Sequence, residues 1–327
     1  MRQTSQSVRP AREYLGINPL SVRCLALLAL LICTTLPLYP LLGLTIHWSS
    51  GYAVAIVLGC LLAVWGFYYA TPSRSPRDWS LAESAFALVL LFALTQVLLP
   101  GQYLAAAWNR PLIDPLLARA DAVLGVYLPS IVAWTREHPT LASLLVWSYG
   151  TFTWQLSLLP ILLGVVLRDR DALWEYVFHF YFCATVILPI FALWPAACAF
   201  TYFGFESLLY QQQFIDHFSQ VRDGAFQQLI FGNMTGLVSM PSFHVAGALM
   251  IVWSLRRHHL WLVAASVVNG LLIVSTVATG AHYVVDLIGT LLLAAASLAA
   301  FRRFGVRWTA FVRESVEPGS PKESVAA

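Results

Sequence analysis

Two residues near the end of the chain have types and a spacing that suit nucleophilic chemistry. His282 and Asp286 stand four residues apart in GAHYVVDLIG, which would place both side chains on one face of a helix. The Asp286 carboxylate could accept the proton of one imidazole nitrogen and leave the other nitrogen free as a nucleophile. A carboxylate within an apolar segment is costly to keep there, so its presence indicates a function.

A second candidate group lies in SMPSFH, where His244 follows a pattern typical of a helix start. Proline is favoured in the first helical turn, and the free N–H groups there form a phosphate site together with the helix dipole. We therefore predict phosphate binding at Pro241, Ser242 and Phe243, with the Ser242 hydroxyl as an additional donor. His244 would lie just inside this helix end, where it could protonate a leaving alkoxide.

The elements that must position these residues are strongly apolar. Of the 327 residues, 59% are hydrophobic and 11% are charged, whereas a soluble domain has about 25% charged residues. Uncharged runs of about 18 residues or more indicate membrane-spanning helices. We predict an all-α membrane protein with about eight transmembrane helices, six of which form a core, with spans near 22–44, 52–71, 82–100, 141–166, 173–195, 241–255, 260–280 and 283–301.

The distribution of cations predicts the orientation of these spans, because Lys and Arg accumulate in short cytoplasmic loops. Of the 19 Lys and Arg residues, all but Arg110, Arg119, Arg136 and Arg222 fall on one side of the predicted bundle. We therefore expect both termini in the cytoplasm and the two histidines at the outer face, which is periplasmic, extracellular or lumenal. These cytoplasmic anchors explain the net charge of +3, so no nucleic-acid partner is expected.

The sequence indicates one membrane domain without further folded units. We predict a cytoplasmic segment 1–21, a membrane domain 22–301 whose catalytic core begins at about 100, and a partly disordered cytoplasmic tail 302–327. In PLIDPLLARADAVLG the apolar residues fall near one helical face, whereas Asp114 and Asp121 fall on others, which predicts a helix along the membrane surface. The five cysteines are irregularly spaced, so neither a disulfide framework nor a metal site is expected.

The two histidine motifs resemble those of a known family. PSFH and the later His-x-x-x-Asp resemble the second and third signatures of the type 2 phosphatidic acid phosphatase superfamily, which includes lipid phosphatases and haloperoxidases. The segments SMPSFHVAGAL, GAHYVVDLIGTLL, RPLIDPLLARADAVLG and WPAACAF are similar to the branch with inositol phosphorylceramide synthases, and the resemblance covers about 100–327. It implies that His282 attacks phosphorus to form a phosphohistidine and that Asp286 orients it. His244 would protonate the departing group and later activate the acceptor.

Two cations of the phosphatase signatures are missing from this sequence. The Ser-Arg pair that precedes the nucleophilic His in the phosphatases is matched by Ser275 and Thr276, and the Lys of the first signature is matched by Tyr103. Arg110 could match the remaining Arg and bind phosphate. Losing cations weakens the binding of a dianionic phosphomonoester, and a phosphodiester carries one charge fewer. These departures therefore favour phosphotransfer from a lipid diester.

We therefore predict an enzyme, an integral membrane lipid phosphotransferase that resembles the inositol phosphorylceramide synthases of sphingolipid metabolism. Its partners would be a phospholipid or lipid phosphate as substrate and a lipid alcohol or water as acceptor. The implied phosphohistidine mechanism needs neither a metal nor an organic cofactor. The main alternative is a lipid phosphate phosphatase acting on phosphatidic acid or prenyl pyrophosphate. A haloperoxidase and a proton-coupled transporter are further alternatives, but a transporter should place its His and Asp near the membrane midplane.

Overall fold

The computed structural model describes residues 18–70, 76–209 and 211–305. Most of the predicted cytoplasmic segment 1–21 and of the predicted tail 302–327 lies outside these described residues, and so do most of the terminal cations. Within the described ranges the chain folds into helices, which are joined by short turns and by two longer segments at the end that carries the histidines.

Fourteen α-helices are present in the described ranges. In chain order they are α1 Pro19–Thr35, α2 Leu38–Leu41, α3 Tyr52–Ala70, α4 Pro76–Ala107, α5 Asp114–Val123, α6 Leu128–Glu137, α7 Pro139–Gly150, α8 Phe152–Ile161, α9 Arg170–Leu193, α10 Ala199–Phe203, α11 Gln212–Arg222, α12 Phe243–Ser254, α13 His259–Ala278 and α14 Val284–Ala300. A 3-10 turn at Trp48–Gly51 precedes α3, and π-helical turns at Leu162–Val166 and Phe301–Gly305 follow α8 and α14. The strands β1 Thr45–Ile46 and β2 Gln228–Leu229 pair in parallel.

Six helical segments in the described part of the chain are long and apolar enough to cross a membrane. They are Pro19–Leu41, Trp48–Ala70, Ser80–Ala107, Arg170–Leu193, His259–Ala278 and Val284–Phe304. Two bent pairs pass the same test when each pair is counted as one span: α7 with α8 and its π turn, bent by 44°, and α5 with α6, bent by 78°. The prediction of an all-α, multi-pass membrane protein with about eight spans is confirmed.

The predicted span at 241–255 is shorter than expected. α12 has 12 residues, which corresponds to a length of about 18 Å, whereas the hydrocarbon core of a bilayer is about 30 Å thick. Residues 235–242, before α12, have no helical structure, and Leu237, Ser239 and Ser242 among them are buried. Hydropathy marks this segment as apolar but does not fix where its helix begins. The start of α12 therefore lies inside the bundle.

Side chains of neighbouring helices satisfy the polar backbone groups of this non-helical segment. The Gln102 side-chain oxygen accepts hydrogen bonds from the N–H groups of Leu237 at 2.7 Å and Val238 at 3.3 Å. The Thr290 hydroxyl accepts a hydrogen bond from the N–H of Ser242 at 2.9 Å. Non-helical backbone at membrane depth is tolerated only where the protein supplies such partners. These bonds therefore fix the position from which α12 starts.

The core consists of α4, α7 with α8, α9, α12, α13 and α14. α12 lies at its centre, because it packs against α8, α9, α13 and α14. The surrounding helices bury large side chains such as Leu90, Leu94, Leu173 and Tyr176. α1 and α3 pack against α4 from outside, and α3 has no buried residue. The predicted six-helix core is thus present, with α1 and α3 at its periphery.

Candidate active site

His282 lies in the turn between α13 and α14, two residues before α14 begins at Val284. Gly280 gives this turn a positive φ of 84°, which glycine adopts without a steric cost. The backbone N–H of His282 donates to the carbonyl oxygen of Thr276 at 2.9 Å. The expectation that His282 and Asp286 share a helix face is therefore wrong, because the helix starts only after the histidine.

Asp286 faces His282 for a different reason. It lies in the first turn of α14, and its carboxylate folds back so that Oδ2 accepts a hydrogen bond from the N–H of Tyr283 at 3.1 Å. The same oxygen stands 3.6 Å from Nδ1 of His282, a distance longer than a hydrogen bond. Nε2 of His282 lies 3.1 Å from the Ser242 hydroxyl. One nitrogen of the buried imidazole thus faces a carboxylate, and the other faces the start of α12.

His244 lies in the first turn of α12, two residues after its N-cap residue Ser242. Its ring lies against two aromatic rings, with centroid separations of 4.2 Å to Tyr149 and 4.5 Å to Phe152, and its Nδ1 is 3.3 Å from the Tyr149 hydroxyl. Both aromatic residues flank the 44° bend between α7 and α8. Gly247 permits this packing, because a Cβ there would collide with the Phe152 ring. The bend therefore holds His244 in place.

The two histidines line one cavity of about 1100 Å³. Their ring centroids are 6.4 Å apart, a separation that a phosphate group can bridge. Away from the histidines the cavity extends between α3, α4 and α8, where its lining includes side chains exposed on the outside of the bundle: Val57, Trp154, Leu158 and Ile161. The cavity therefore extends from the histidines to the apolar outer surface of the bundle.

Apart from the histidines, the polar side chains that line this cavity are mainly amides and hydroxyls. None of the described residues that line it is Lys, Arg, Asp or Glu. Hydrogen-bonding capacity comes instead from the amides of Gln102, Gln211 and Gln213 and from hydroxyls such as that of Tyr149. The Oε1 atom of Gln211 is buried without a hydrogen-bond partner among the described residues. A ligand beside His244 therefore meets uncharged donors and acceptors.

The predicted phosphate-binding residues are only partly gathered at the cavity. Ser242 caps α12 and contacts His282, and Phe243 lines the cavity. Pro241 precedes the cap and does not occupy the first helical turn as expected, because the helix begins at Phe243. Arg110 is exposed and is not among the residues that line the cavity. Of the predicted set, Ser242 and Phe243 thus lie beside the histidines, whereas Arg110 does not.

Tyr103, which the sequence analysis matched to a phosphatase Lys, is buried in a hydrogen-bond network. Its hydroxyl accepts a hydrogen bond from the N–H of Thr235 at 2.9 Å and lies 2.7 Å from Nδ1 of His217 on α11. Burial lowers the pKa of His217, and the nearby Asp216 carboxylate opposes that change. A neutral imidazole can accept the Tyr103 hydroxyl proton as a hydrogen bond. Tyr103 therefore connects α4 to α11 and to the segment before α12.

Two carboxylates on α5 reach the turn that carries His282, although no role at the site was predicted for them from the sequence. Asp114 accepts hydrogen bonds from the Tyr283 hydroxyl at 2.9 Å and from the N–H of Ala197 at 2.8 Å. Asp121 accepts hydrogen bonds from the first two N–H groups of α14 at 3.0 and 2.9 Å. Part of the apolar face of α5 points away from the bundle, where Leu116 and Val123 are exposed, whereas Leu117 is buried. The available signal was the seven-residue spacing, which puts both carboxylates on one helix face.

Cys198 is a thiol that lines the same cavity. Burial raises its pKa well above the ordinary value, and the carboxylates of Asp114 and Asp286 raise it further. The thiolate is the reactive form of cysteine. Because this thiol stays protonated, the imidazoles are the better candidates for the nucleophile.

A comparison with family models gives one match. The family model described as the PAP2 superfamily matches residues 115–300, from α5 to the end of α14. Searches of curated proteins and of solved structures return no match. Within the described ranges, no three His, Cys, Asp or Glu residues form a group that could hold a metal ion. One family model thus covers more than half of the chain, including both histidines and Asp286.

Proposed function

Because the chain belongs to the PAP2 superfamily, whose members are phosphatases or phosphotransferases, we propose that it transfers the phosphorylated head group of a membrane phospholipid to a lipid alcohol. The reaction would resemble that of an inositol phosphorylceramide synthase, with a sphingolipid as its product. The observation that carries this proposal is the pair His282 and His244, whose ring centroids are 6.4 Å apart in one cavity that extends to side chains on the outside of the bundle.

In the first step of the proposed reaction, Nε2 of His282 attacks phosphorus and forms a nitrogen–phosphorus bond. The bond from phosphorus to the leaving lipid oxygen breaks, and His244 gives its proton to the departing alkoxide. The carboxylate of Asp286 faces Nδ1 and stabilises the positive charge that forms on the imidazole. The products of this step are diacylglycerol and a phosphohistidine that still carries the head group.

In the second step, the hydroxyl of the acceptor attacks the phosphohistidine. His244 now takes the proton of that hydroxyl, so it acts as a base after it has acted as an acid. A new oxygen–phosphorus bond forms, the bond to His282 breaks, and the enzyme returns to its starting state. Ser242, whose hydroxyl lies beside Nε2, supports a phosphate oxygen in both steps.

The neutral lining of the cavity supports a diester as substrate. A phosphomonoester dianion needs several cations around its oxygens, and none of the described lining residues is Lys or Arg. Tyr103 and Thr276, which match the two missing family cations, are buried and hydrogen-bonded to protein groups. A diester carries one charge fewer, and the amides of Gln102 and Gln211 suit an uncharged alcohol beside it.

The location of arginines supports an active site on the outer face, with both termini in the cytoplasm. Arg256 and Arg257 lie in the turn between α12 and α13, at the end of these helices away from the histidines. Arg168 lies in the turn between α8 and α9 at the same end, and Arg302 and Arg303 follow α14 there. Arginines of short turns mark the cytoplasmic side of membrane proteins.

Hydrolysis is the second candidate function, because the superfamily includes phosphatases and water could take the place of the alcohol at His244. We would decide between the two with purified protein in lipid vesicles that contain phosphatidylinositol and a labelled ceramide. We expect label in a phosphorylated ceramide and release of diacylglycerol, with little free inositol phosphate. The same vesicles with phosphatidic acid should release little phosphate.

A variant with His282→Ala provides the control for this assay, and it should form neither product. Rapid release of phosphate from phosphatidic acid by the wild type, without transfer to any lipid alcohol, would contradict the transferase proposal. That result would leave the phosphatase function standing.

A further inference from the structure

α5 meets the turn between α13 and α14 that carries His282, the catalytic turn, through both of its aspartates. Asp114 and Asp121 are 1% and 2% exposed, although a carboxylate is costly to bury without partners. They stand seven residues apart on the face of α5 that points into the bundle. All four hydrogen bonds described for them go to two short segments, 195–198 and 283–285. The second of these segments follows His282 directly.

Asp121 occupies N–H groups that Asp286 would otherwise attract. The first N–H groups of a helix have no partner within the helix, and a carboxylate in the first turn is a common partner for them. At the start of α14, Asp121 binds the N–H groups of Val284 and Val285, so Asp286 binds only that of Tyr283. The Oδ2 atom of Asp286 that accepts this bond is also the oxygen that faces His282, and Oδ1 is buried without a hydrogen-bond partner among the described residues.

Asp114 restrains the same turn through hydrogen bonds to its carboxylate. Its Oδ1 accepts the hydrogen bond from the Tyr283 hydroxyl, and Tyr283 is fully buried next to the histidine. Its Oδ2 accepts a hydrogen bond from the N–H of Ala197, which precedes the cavity residue Cys198. Asp114 therefore ties the turn that carries the nucleophile to the neighbouring wall of the cavity.

We propose that Asp114 and Asp121 are positioning residues, which hold His282 and direct the Asp286 carboxylate toward it from α5. This inference rests on the proposed role of His282 as nucleophile. Neither aspartate is required to contact the substrate. Without them the carboxylate of Asp286 turns toward the free N–H groups of α14, and His282 loses its orientation.

The test compares Asp121→Asn and Tyr283→Phe with wild type in the vesicle assay. A misplacement of about 1 Å at a reacting group can lower a rate by roughly 10²-fold. We expect kcat to fall about 100-fold for Asp121→Asn and about tenfold for Tyr283→Phe, with KM within about twofold of wild type. Asp121→Glu, which keeps the carboxylate, should recover part of the loss. Asp223→Asn makes the same chemical change at an exposed position on the same end and serves as control.

The outcomes separate this inference from the proposed function. A wild type that turns over while both variants keep its kcat overturns the positioning role alone, and so does an equal loss in Asp223→Asn. A lower thermal midpoint with unchanged kcat per folded molecule shows a purely structural role and also overturns it. If Asp121→Asn does not fold, Tyr283→Phe decides, because it removes one oxygen only. A wild type that neither transfers nor hydrolyses any lipid phosphate contradicts the proposed function itself.

Discussion

The two ends of the bundle both bury carboxylates, but they neutralise them differently. At the end away from the histidines the partners are arginines. Glu83 pairs with Arg170 at 2.6 Å and Glu175 pairs with Arg256 at 2.7 Å. Both glutamates are less than 10% exposed, and each arginine stabilises a carboxylate that would otherwise be buried without a cation. This end is therefore held together by ion pairs.

At the end that carries the two histidines, here called the catalytic end, the partners are neutral. Asp114, Asp121 and Asp286 accept hydrogen bonds from backbone N–H groups and from the Tyr283 hydroxyl. No salt bridge joins these three carboxylates to a Lys or Arg in the described part of the chain. In the proposed function, proton transfer at this end therefore falls to the two imidazoles. Substitutions there should change turnover, whereas substitutions at the other end should change stability.

The largest expected effect is the fall in kcat when the proposed acid at the catalytic end is removed. His244→Asn should lower kcat on a phospholipid by about 10² to 10⁴-fold, the usual contribution of general acid–base catalysis. A nitrophenyl phosphodiester needs less help from an acid, because its leaving group is stable as an anion. Its rate should therefore fall much less in the same variant. Equal losses on both substrates would contradict the role of His244 as an acid.

The next effect is at the opposite end, where Arg256→Ala leaves Glu175 without its cation. Breaking a buried ion pair costs about 3–5 kcal/mol, and we expect about 3 kcal/mol here because Trp253 still donates to the same carboxylate. Unfolding in detergent micelles measures this loss. Arg257→Ala is the matched control, since Arg257 is half exposed and lies 3.5 Å from Asp169, and it should cost less than about 1 kcal/mol. A lower kcat in folded Arg256→Ala would contradict the expectation that substitutions at this end change stability and not turnover.

A smaller effect is expected when a neutral partner of the catalytic end is removed. Tyr149→Phe keeps the ring that lies against His244 but deletes the hydroxyl 3.3 Å from Nδ1. A neutral hydrogen bond contributes about 0.5–1.5 kcal/mol, so kcat should fall by less than about tenfold. Steady-state kinetics on the phospholipid measure the change. A loss as large as that of His244→Asn would show that Tyr149 does more than orient the imidazole.

The smallest effect concerns pH and the neutral His217 at the catalytic end. Its pKa is lowered by burial, so the unfolded chain binds a proton near the ordinary pKa of about 6.5 before the folded chain does. Folded-state stability therefore falls as the pH drops from about 6.5 toward the lowered value. In His217→Gln this contribution is absent, and stability should fall less over the same pH range. An unchanged pH dependence of unfolding would contradict the neutral state of His217.

The sequence predicted the apolar spans and the group of His244, His282 and Asp286, because hydropathy and residue types are local properties. It did not predict that α12 starts within the bundle or that His282 lies before α14. Those positions depend on bonds from distant residues such as Gln102 and Thr290. An i, i+4 spacing places two side chains on one helix face only when both residues lie within the helix, and His282 does not.

The contact between α5 and the turn that carries His282 was also not predicted from the sequence. Periodicity separates its apolar face from its acidic face, but it does not say which face meets the protein. In a soluble protein the apolar face would point inward. Here Leu116 and Val123 are exposed, while Asp114 and Asp121 point inward to the catalytic turn. The choice depends on lipid as the surrounding solvent and on the unpaired N–H groups of α14.

The most direct test of the central claim is to trap the covalent intermediate on His282. Wild-type protein, His244→Asn and His282→Ala would be mixed with a phospholipid labelled at phosphorus, quenched within milliseconds to seconds and digested. We expect an acid-labile label on the wild-type peptide that contains His282, and none on His282→Ala. No label on an active wild type, or equal label on wild type and His282→Ala, would contradict His282 as the nucleophile.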